Sequence, residues 1–434
     1  MLIVWPLAAF GGTHAFTAVP FSLACIAYAL ARRPHLQGDL DASLMLLVGC
    51  VTMQLVPLPT GVVRLFSPHA APVRDLLVLT PPATLHVRPL SIRAPETEWA
   101  LLVVAAAVAV FWLARTDFAR RGVRRTIRGI AAAGLAVSVI AIAQAATAGR
   151  YIYWTVRTDF EGPLPFGPFI NRNHFATWII MALPLTVGYI VLRAGAEHAR
   201  NHWQPGPAWR RFVADSRGLW LTVSAGVMLL ALLLSLSRSG LVSIVASGTV
   251  TVVMLRSRID PVRRRMLILS ASAIVVIAML WADVPAIAQR LAGASTGIAN
   301  RLTIWRETLP VVRDFWATGT GAGTYRTAML VYQRSDRSVY FNQAHDHYLQ
   351  VAAEGGLLLL IPLLLALTAF VRTARASITA DRSALLYLRA GAACGLGAVA
   401  LQSIWETGLV MPANAVLAAT LAAILVHDQG EGRK

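Results

Sequence analysis

The chain has 434 residues, of which 56% are hydrophobic and only 14% are charged, and its mean hydropathy is +0.60. Soluble globular domains carry about 25% charged residues, so these values exclude a soluble protein and indicate a polytopic membrane protein. The net charge is +18. Because nearly all basic residues are arginines, most of them in short loops between apolar segments, we interpret this charge as membrane topology rather than nucleic-acid binding.

Apolar segments recur along the whole chain and leave no room for a separate soluble domain. A helix needs about 20 apolar residues to cross roughly 30 Å of hydrocarbon. We therefore predict a single membrane domain over residues 1–434. The predicted apolar helices are a short one and a full one within Leu2–Ala31, then Leu44–Leu58, Trp99–Ala114, Ile130–Thr147, Phe175–Leu192, Leu219–Leu236, Leu241–Leu255, Met266–Trp281, Tyr348–Val371, Leu385–Ile404 and Met411–Val426.

The arginine pattern orients these helices. Residues 115–128 contain six arginines and a single acid, Asp117, which is the strongest positive-inside signal in the chain. Placing that segment in the cytoplasm, we predict an all-α bundle of eleven or twelve transmembrane helices with a cytoplasmic C-terminus. Residues 283–345 are then a large extracytoplasmic loop of short amphipathic helices. The first apolar segment lacks a basic region and a cleavage site, so we do not expect a removed signal peptide.

The predicted loop contains an apolar stripe and a glycine-rich segment. Apolar residues at spacings of 3 and 4 predict a helix that lies on the membrane surface or on the bundle. They are Leu302, Trp305, Leu309, Val312 and Trp316. Residues 319–323 could bind phosphate through backbone amides, but no Lys-Ser/Thr follows them, which favours a plain turn. Residues 325–337 are predicted to form a second short helix.

Polar residues at the helix ends that face this loop are the candidate site residues. Arg238 stands in the turn SLSRSG between two apolar helices, where an arginine is costly unless it is paired or functional. Arg172 and His174, in INRNHF, lie at the mouth of a helix. Helix capping or interfacial anchoring would explain these two equally well.

The segment FNQAHDHYLQVAAEGG, residues 341–356, joins the loop to a span. We predict His345 in the first helical turn, where the helix dipole disfavours imidazolium and leaves a neutral base; an ordinary N-terminal polar residue is the alternative. Glu354 lies one to three turns further along. A metal at His345-Asp346-His347 is disfavoured because adjacent side chains point apart on a helix. Asp39-Leu40-Asp41 is interpreted as a helix N-cap at Asp41 rather than a metal motif.

Four motifs in this order resemble the O-antigen ligase and Wzy-type polysaccharide polymerase superfamily. They are FINRNHFA at 169–176, LSRSG at 236–240, RLTIWRETLPVV followed by GTGAGTY within 301–325, and AHDHYLQVAAEGG at 344–356. The resemblance implies a metal-independent glycosyltransferase of the GT-C type, with His345 as base and Arg238 and Arg301 binding diphosphate. The chain departs from the family at Asp346, where asparagine is common, and at His347.

The chemistry of the residues agrees with this resemblance. Breaking a bond between a sugar and a diphosphate requires compensation of charge on the departing oxygens, which a planar guanidinium supplies bidentately. We therefore predict an inverting transfer with His345 as base and Glu354 orienting or tuning the site. The predicted diphosphate ligands are Arg238, Arg301, Arg172 and Arg306, and the acceptor-side residues are Asp346, Tyr348 and His174. No metal and no cofactor are expected.

The resemblance also implies the partners. The donor would be an oligosaccharide on undecaprenyl diphosphate, and the acceptor lipid A core or another lipid-linked glycan. Ligase and polymerase share this chemistry and differ in acceptor, and the NRNHFA and HxxYLQxxxE details resemble polymerases slightly more. A transporter or flippase of lipid-linked glycans is the competing interpretation. Transporters place ionisable residues at the membrane midplane, whereas here they gather in loops and at helix mouths.

Overall fold

The computed structural model describes residues 3–34, 36, 38–78, 86–157, 165–200, 216–258 and 284–427. Almost all regular structure in this part is helical, and its strands are two residues long, pairing Leu58–Pro59 with Val87–Arg88 and Tyr151–Ile152 with Val156–Arg157. A chain in hydrocarbon must satisfy its backbone hydrogen bonds internally, which a helix does within one segment. The predicted all-α class is confirmed.

We number the helices in chain order. Helices α1 to α5 are Val4–Ala8, Ala15–Arg32, Asp39–Met53, Thr60–Phe66 and Ala70–Leu76. Helices α6 to α10 are Ala94–Arg121, Arg124–Thr147, Arg172–Arg200, Ser216–Leu234 and Arg238–Met254. Helices α11 to α15 are Val284–Asp314, Tyr325–Tyr332, His347–Ala380, Leu386–Gln402 and Pro412–Val426. Short 3₁₀ turns lie at Phe10–Gly12 and Gly408–Val410. Helices α6 and α13 extend well past the predicted apolar windows because charged residues continue them beyond the hydrocarbon.

Several of these helices are suited to crossing a membrane. By length and composition, five described helices can do so, namely α2, α6, α7, the Arg172–Arg193 part of α8, and α13. Shorter apolar helices are Gly218–Leu234, Arg238–Met254, Leu386–Gln402 and Pro412–Val426. The chain is thus an all-α polytopic membrane protein, as predicted. The total of eleven or twelve spans stays a prediction, because Met266–Trp281 lies outside the described residues.

The apolar N-terminal segment is divided as predicted. Helix α1 has five residues and α2 has eighteen, and Gly11 and Gly12 between them have φ values of 69° and 78°. Glycine adopts such angles without steric cost. A Cβ on Gly11 would lie 2.8 Å from the Phe169 ring, and one on Gly12 would lie 2.8 Å from Pro412. This turn therefore packs directly against the start of α15 and the chain before α8.

Helix α8 is the centre of the bundle. Every residue from His174 to Leu183 is buried, and α8 contacts α7, α9, α10, α14 and α15. A Cβ on Gly188 would lie 2.3 Å from the Tyr387 carbonyl oxygen, and one on Gly391 would lie 2.5 Å from that of Pro184. Small residues at such crossings let membrane helices approach closely. Helices α8 and α14 are therefore held backbone to backbone.

The two ends of the bundle carry different polar contacts. We call the end at residues 299–346 the loop end and the other the opposite end. At the opposite end, Asp41 of α3 is buried and accepts hydrogen bonds from Trp112 Nε1 at 2.9 Å and Arg115 Nη2 at 2.7 Å. The predicted N-cap role of Asp41 is wrong, because Gly38 occupies that position. Asp41 lies inside the helix, where Arg115 of α6 compensates a charge that is costly to bury.

The loop helix α11 packs mainly through a face other than the predicted stripe. Its buried residues are Ile304, Thr308 and Val311, followed by Phe315 just beyond its end. In the predicted stripe, Leu302, Leu309 and Trp316 are 40%, 56% and 62% exposed. The stripe therefore packs only in part: Trp305 and Val312 are half-buried, and Trp305 Nε1 donates a hydrogen bond to the Ala344 carbonyl. Whether the stripe lies on a membrane surface stays a prediction. Helix α12 ends at Tyr332, earlier than predicted, because Gln333 is extended.

We expect Asp41→Ala to destabilise the protein by about 3–5 kcal/mol, because it leaves the Arg115 charge uncompensated in the bundle. Asp39→Ala is the matched control. It removes a pair with Arg372, also 2.7 Å long, whose two side chains are 77% and 69% exposed, and it should cost about 0–1 kcal/mol. Thermal unfolding in detergent measures both. Equal shifts in the two variants would contradict a special contribution from the buried pair.

Candidate active site

The loop joins α13 at His345 and Asp346. Helix α13 begins at His347, and Asp346 is its N-cap, with Oδ1 accepting a hydrogen bond from the Leu349 amide at 3.0 Å. The prediction of His345 inside the first turn is therefore wrong by two residues, and the contacts of Asp346 are those of a cap. His345 has φ of 50°. This conformation costs a non-glycine residue on the order of 1–3 kcal/mol and clusters at functional sites.

A buried carboxylate, that of Glu406, lies beside His345. Its Oε2 is 3.8 Å from His345 Nδ1. Its Oε1 accepts hydrogen bonds from Asn173 Nδ2 at 2.6 Å and Arg301 Nη2 at 2.9 Å. The Glu406 side chain is 1% exposed and that of His345 is 31% exposed. We call His345, Glu406, Arg301, Asn173 and His174 the Glu406 cluster. It joins α8, α11, the residue pair before α13 and the turn after α14.

Hydrogen bonding in the Glu406 cluster is incomplete. His345 Nδ1, Glu406 Oε2 and His174 Nε2 are buried atoms without a hydrogen-bond partner among the described residues. His174 is buried and within electrostatic reach of the other two residues. The 3.8 Å between His345 and Glu406 is too long for a hydrogen bond. Three of the buried side-chain atoms that lack a hydrogen-bond partner in the described residues thus lie close together, which makes the cluster a candidate site.

Of the arginines predicted to bind diphosphate, Arg301 belongs to the Glu406 cluster and Arg238 does not. Arg238 is the exposed first residue of α10, two residues after Leu236, which has φ of 54°. The next residue, Ser239, is tied to the end of α14 by a contact of 3.5 Å from Gln402 Nε2 to its hydroxyl. The start of α10 is thereby held at the loop end.

The remaining predicted residues are also at the loop end. Arg172 is the half-buried first residue of α8, directly before Asn173 of the cluster. Arg306 is exposed on α11. Tyr348 is exposed, and its hydroxyl donates to the Ala400 carbonyl at 2.8 Å. These placements leave the predicted roles of the three residues as predictions.

Glu354 lies in a different environment from His345. Its Oε1 accepts hydrogen bonds from the Tyr325 amide at 3.1 Å and Gln350 Nε2 at 3.1 Å, and its Oε2 accepts from the Gly323 amide at 2.8 Å. The carboxylate is buried, and these contacts attach α13 to the glycine-rich segment before α12. No described contact joins it to His345. The geometry supports a positioning role for Glu354.

The glycine-rich segment 319–323 is a structural turn, as the favoured interpretation had it. Its amides are engaged within the protein: Thr320 and Gly321 donate to the carbonyl oxygens of Ala353 and Glu354, and Ala322 donates to Gln54 Oε1. Gly319 has φ of 68°, and a Cβ there would lie 2.1 Å from the Glu354 carbonyl oxygen. Only glycine allows this approach. The turn therefore has no spare amides to cradle a phosphate.

A large cavity opens beside the Glu406 cluster. It has a volume of about 1470 Å³ and is lined by α3, α6, α13, α14 and α15. Its lining is mainly aliphatic, and its residues Leu363, Leu367 and Val371 are also exposed at the outer surface of the bundle. Polar residues line its loop end: Arg93, Glu96, Arg326, Asn342, Gln343 and His347. Gln343 Oε1 accepts a hydrogen bond at 2.7 Å from Thr407, which follows Glu406, so this polar end adjoins the cluster.

The two neighbouring histidines face different surroundings. His345 lies beside Glu406, whereas His347 lines the cavity and donates its amide hydrogen to the Ser403 carbonyl. They therefore do not converge on one metal ion. In the part of the chain that the structure describes, no group of three or more His, Cys, Asp or Glu residues is placed to hold a metal.

Sequence reasoning missed Glu406 and Asn173. Glu406 is a single acid between two apolar helices, in LQSIWETGLVMP. The argument that selected Arg238, the cost of an ionisable residue next to hydrocarbon, applies equally to Glu406. Its partners could not be inferred in this way, because Asn173 and Arg301 are 233 and 105 residues distant in the chain.

Comparison with known proteins finds one family that part of the chain resembles. Residues 223–364 match the family described as O-antigen ligase, a segment that contains Arg238, Arg301, His345 and Glu354. A search of curated proteins found no match. Glu406, Asn173 and His174 lie outside the matched segment and join it through the contacts given above. The motifs, the helical membrane fold and the matched segment, which is about a third of the chain, together support a similarity to the O-antigen ligase family.

Proposed function

We propose that this protein is a glycosyltransferase that moves glycan from an undecaprenyl-diphosphate carrier to a hydroxyl of lipid A core or of another lipid-linked glycan. It would act in the bacterial inner membrane with the loop end facing the periplasm, as the arginine pattern predicts. The proposal depends above all on His345 beside the buried Glu406 and Arg301. None of these three lines the apolar cavity, but the neighbouring Gln343 and His347 do. The family match supports the reaction class.

His345 is the general base in this proposal. Its Nδ1 faces Glu406, which leaves Nε2 for the acceptor hydroxyl. In the tautomer that accepts a proton on Nε2, Nδ1 carries a hydrogen directed at the carboxylate. Catalytic hydrogen bonds are often long in unliganded structures and tighten when substrate binds, which accounts for the 3.8 Å separation.

Glu406 is the positioning residue for this base. A buried carboxylate stabilises the imidazolium that forms as the proton is transferred, because charges interact more strongly where water is excluded. Asn173 and Arg301 hold Oε1 and leave Oε2 directed at His345. The carboxylate therefore orients the ring without itself contacting substrate.

The arginines bind the diphosphate. Arg301 commits Nη2 to Glu406, and its other N–H groups remain as donors. Arg238 is exposed at the start of α10, and Arg172 and Arg306 lie at the same end of the bundle. Guanidinium groups form bidentate charge-assisted hydrogen bonds with phosphate oxygens. They would compensate the charge that grows on the departing oxygen.

The reaction is a single displacement. The acceptor oxygen bonds to the anomeric carbon as its proton passes to His345 Nε2. The bond from that carbon to the phosphate oxygen breaks, and its electron pair leaves with the carrier diphosphate, so the anomeric configuration inverts. The polyprenyl chain would occupy the aliphatic cavity of about 1470 Å³ and enter sideways past the exposed Leu363, Leu367 and Val371.

We expect His345→Ala to slow glycan transfer by about 10²–10⁴-fold, because the acceptor loses its base. Binding of the carrier lipid should remain within about twofold of wild type. Transfer from a labelled lipid-linked glycan and native mass spectrometry of bound lipid, both on purified protein, measure the two effects. His86→Ala, at an exposed position before α6, is the control. Full transfer activity in His345→Ala would contradict the assignment.

Glu406→Gln should lower kcat by about 10²-fold or more with little change in KM, because it removes the charge that stabilises imidazolium but keeps an oxygen for Asn173 and Arg301. Unfolding temperatures identify any effect on folding. Glu98→Gln, an exposed change on α6, is the matched control. A Glu406→Gln enzyme with raised KM and unchanged kcat would instead place Glu406 in substrate binding.

Glu354→Ala should lower the unfolding temperature, because three donors lose their buried acceptor and each costs about 1–3 kcal/mol. His345→Ala should leave the unfolding temperature nearly unchanged, since the ring Nδ1 has no hydrogen-bond partner among the described residues. Thermal unfolding of both variants in the same detergent tests this difference. A stable but inactive Glu354→Ala protein would show that the predicted catalytic role of Glu354 is correct.

The product identifies the acceptor. Label that appears on lipid A core indicates a ligase, and a ladder of repeat lengths indicates a polymerase.

The cavity also favours the alternative of a lipid-linked glycan flippase in one respect, because its lining runs from Arg93 at the loop end to Arg375 at the opposite end. Movement of labelled lipid across liposomes without any transferred product would support that alternative.

A further inference from the structure

A second pocket of about 470 Å³ lies on the loop end of the bundle, away from the Glu406 cluster. It is formed by α5, the strand at Val87–Arg88, the start of α6 and helix α12. Its polar lining residues are Arg74, Arg88, Arg93, Glu96, Arg326 and Thr327. Four arginines and one glutamate therefore surround a space large enough for a sugar unit.

The single acid in the lining is already engaged. Glu96 Oε1 is 3.1 Å from Arg326 Nη2, and both Glu96 oxygens accept from the Thr327 hydroxyl, at 3.0 and 2.8 Å. Its ion pair is with Arg326. Arg93 is exposed and has no ion pair or side-chain hydrogen bond with the described residues. The pocket thus presents positive charge in excess.

Arg74 adds a further positive charge to the lining of this pocket. Its Nη2 donates to the carbonyl oxygens of Pro89, Leu90 and Ser91, and its Nη1 is buried without a hydrogen-bond partner in the described structure. Burial and the neighbouring Arg88 lower the pKa of Arg74 to about 10, against the opposing effect of the exposed Asp75. A cationic group held among carbonyl oxygens beside other arginines is stabilised by a bound anion.

The pocket continues from the mouth of the large cavity. Arg93, Glu96 and Arg326 line both spaces. These three residues therefore connect the cavity proposed for the carrier lipid with the basic pocket, so that sugars of the bound glycan could extend to Arg74 and Arg88. Leu77, Leu330 and Tyr340 add apolar and aromatic surface suited to a sugar face.

We infer that this basic pocket binds a carboxylate- or phosphate-bearing sugar of the glycan substrate. The identity of the ligand as a glycan rests on the proposed function, whereas its negative charge rests on the arginines. The protein would accordingly select acidic polysaccharide units over neutral ones. The site is separate from the diphosphate arginines, since none of Arg238, Arg301, Arg172 and Arg306 lines it.

The test is binding of tetragalacturonate to the full-length chain in phosphatidylcholine nanodiscs, compared with the fully methyl-esterified oligosaccharide of equal length. We expect the acid to bind and the ester to bind at least tenfold more weakly, with the difference reduced by salt. Arg93→Gln should raise the Kd for the acid about tenfold. Leu330→Glu, which adds a negative charge at the exposed rim, should do the same without removing an arginine.

Arg64→Gln is the control, because Arg64 is an exposed arginine of α4 outside the pocket, and it should bind as wild type does. Equal affinity for acid and ester, unchanged affinity in both variants, or an equal loss in Arg64→Gln would overturn the inference. Displacement of the probe by added phosphatidylglycerol would also overturn it, by assigning the pocket to a lipid head group. Normal probe binding without any transferase activity would contradict the proposed function and leave the anionic site standing.

Discussion

Burial of the Glu406 carboxylate is the constraint on which the loop end of this protein depends. A charge in such a place is costly unless partners from other segments reach it, and here they come from α8, α11 and the residues before α13. Residues of α8 and α11 are thereby held within hydrogen-bond distance of one carboxylate. Among the described residues its other oxygen has no hydrogen-bond partner, and it faces a histidine in a strained backbone conformation.

Two buried glutamates at the loop end, Glu354 and Glu406, differ in how completely their carboxylate oxygens are hydrogen-bonded. Glu354 receives three hydrogen bonds, from the Gly323 amide of the glycine-rich turn, the Tyr325 amide of α12 and the Gln350 side chain. Glu406 receives two and faces His345 at 3.8 Å. A fully satisfied buried group rigidifies its surroundings, whereas a partly satisfied one is unstable until substrate or a proton completes it. Rigidity around Glu354 therefore supports the start of the helix that presents His345.

The cavity, the Glu406 cluster and the basic pocket form one connected arrangement at the loop end. The apolar cavity suits a lipid chain, the cluster offers a base and an arginine, and the pocket offers cationic groups beyond them. Hydrophobic burial would hold the carrier without directional contacts. Hydrogen bonds from the arginines would then decide where the head group and its sugars lie.

The amino-acid sequence by itself determined the membrane environment, the helical class, most helix positions and the candidates His345, Arg238 and Arg301, because hydrophobic windows and isolated charges are local signals. Tertiary structure alone decided that Asp41 pairs with Arg115 and that α11 packs through Ile304 while Leu302 and Leu309 stay exposed. It also brought Glu406 to His345 and Arg301. These contacts join residues up to hundreds of positions apart, and their energy depends on burial and distance in the folded chain, which no local pattern records.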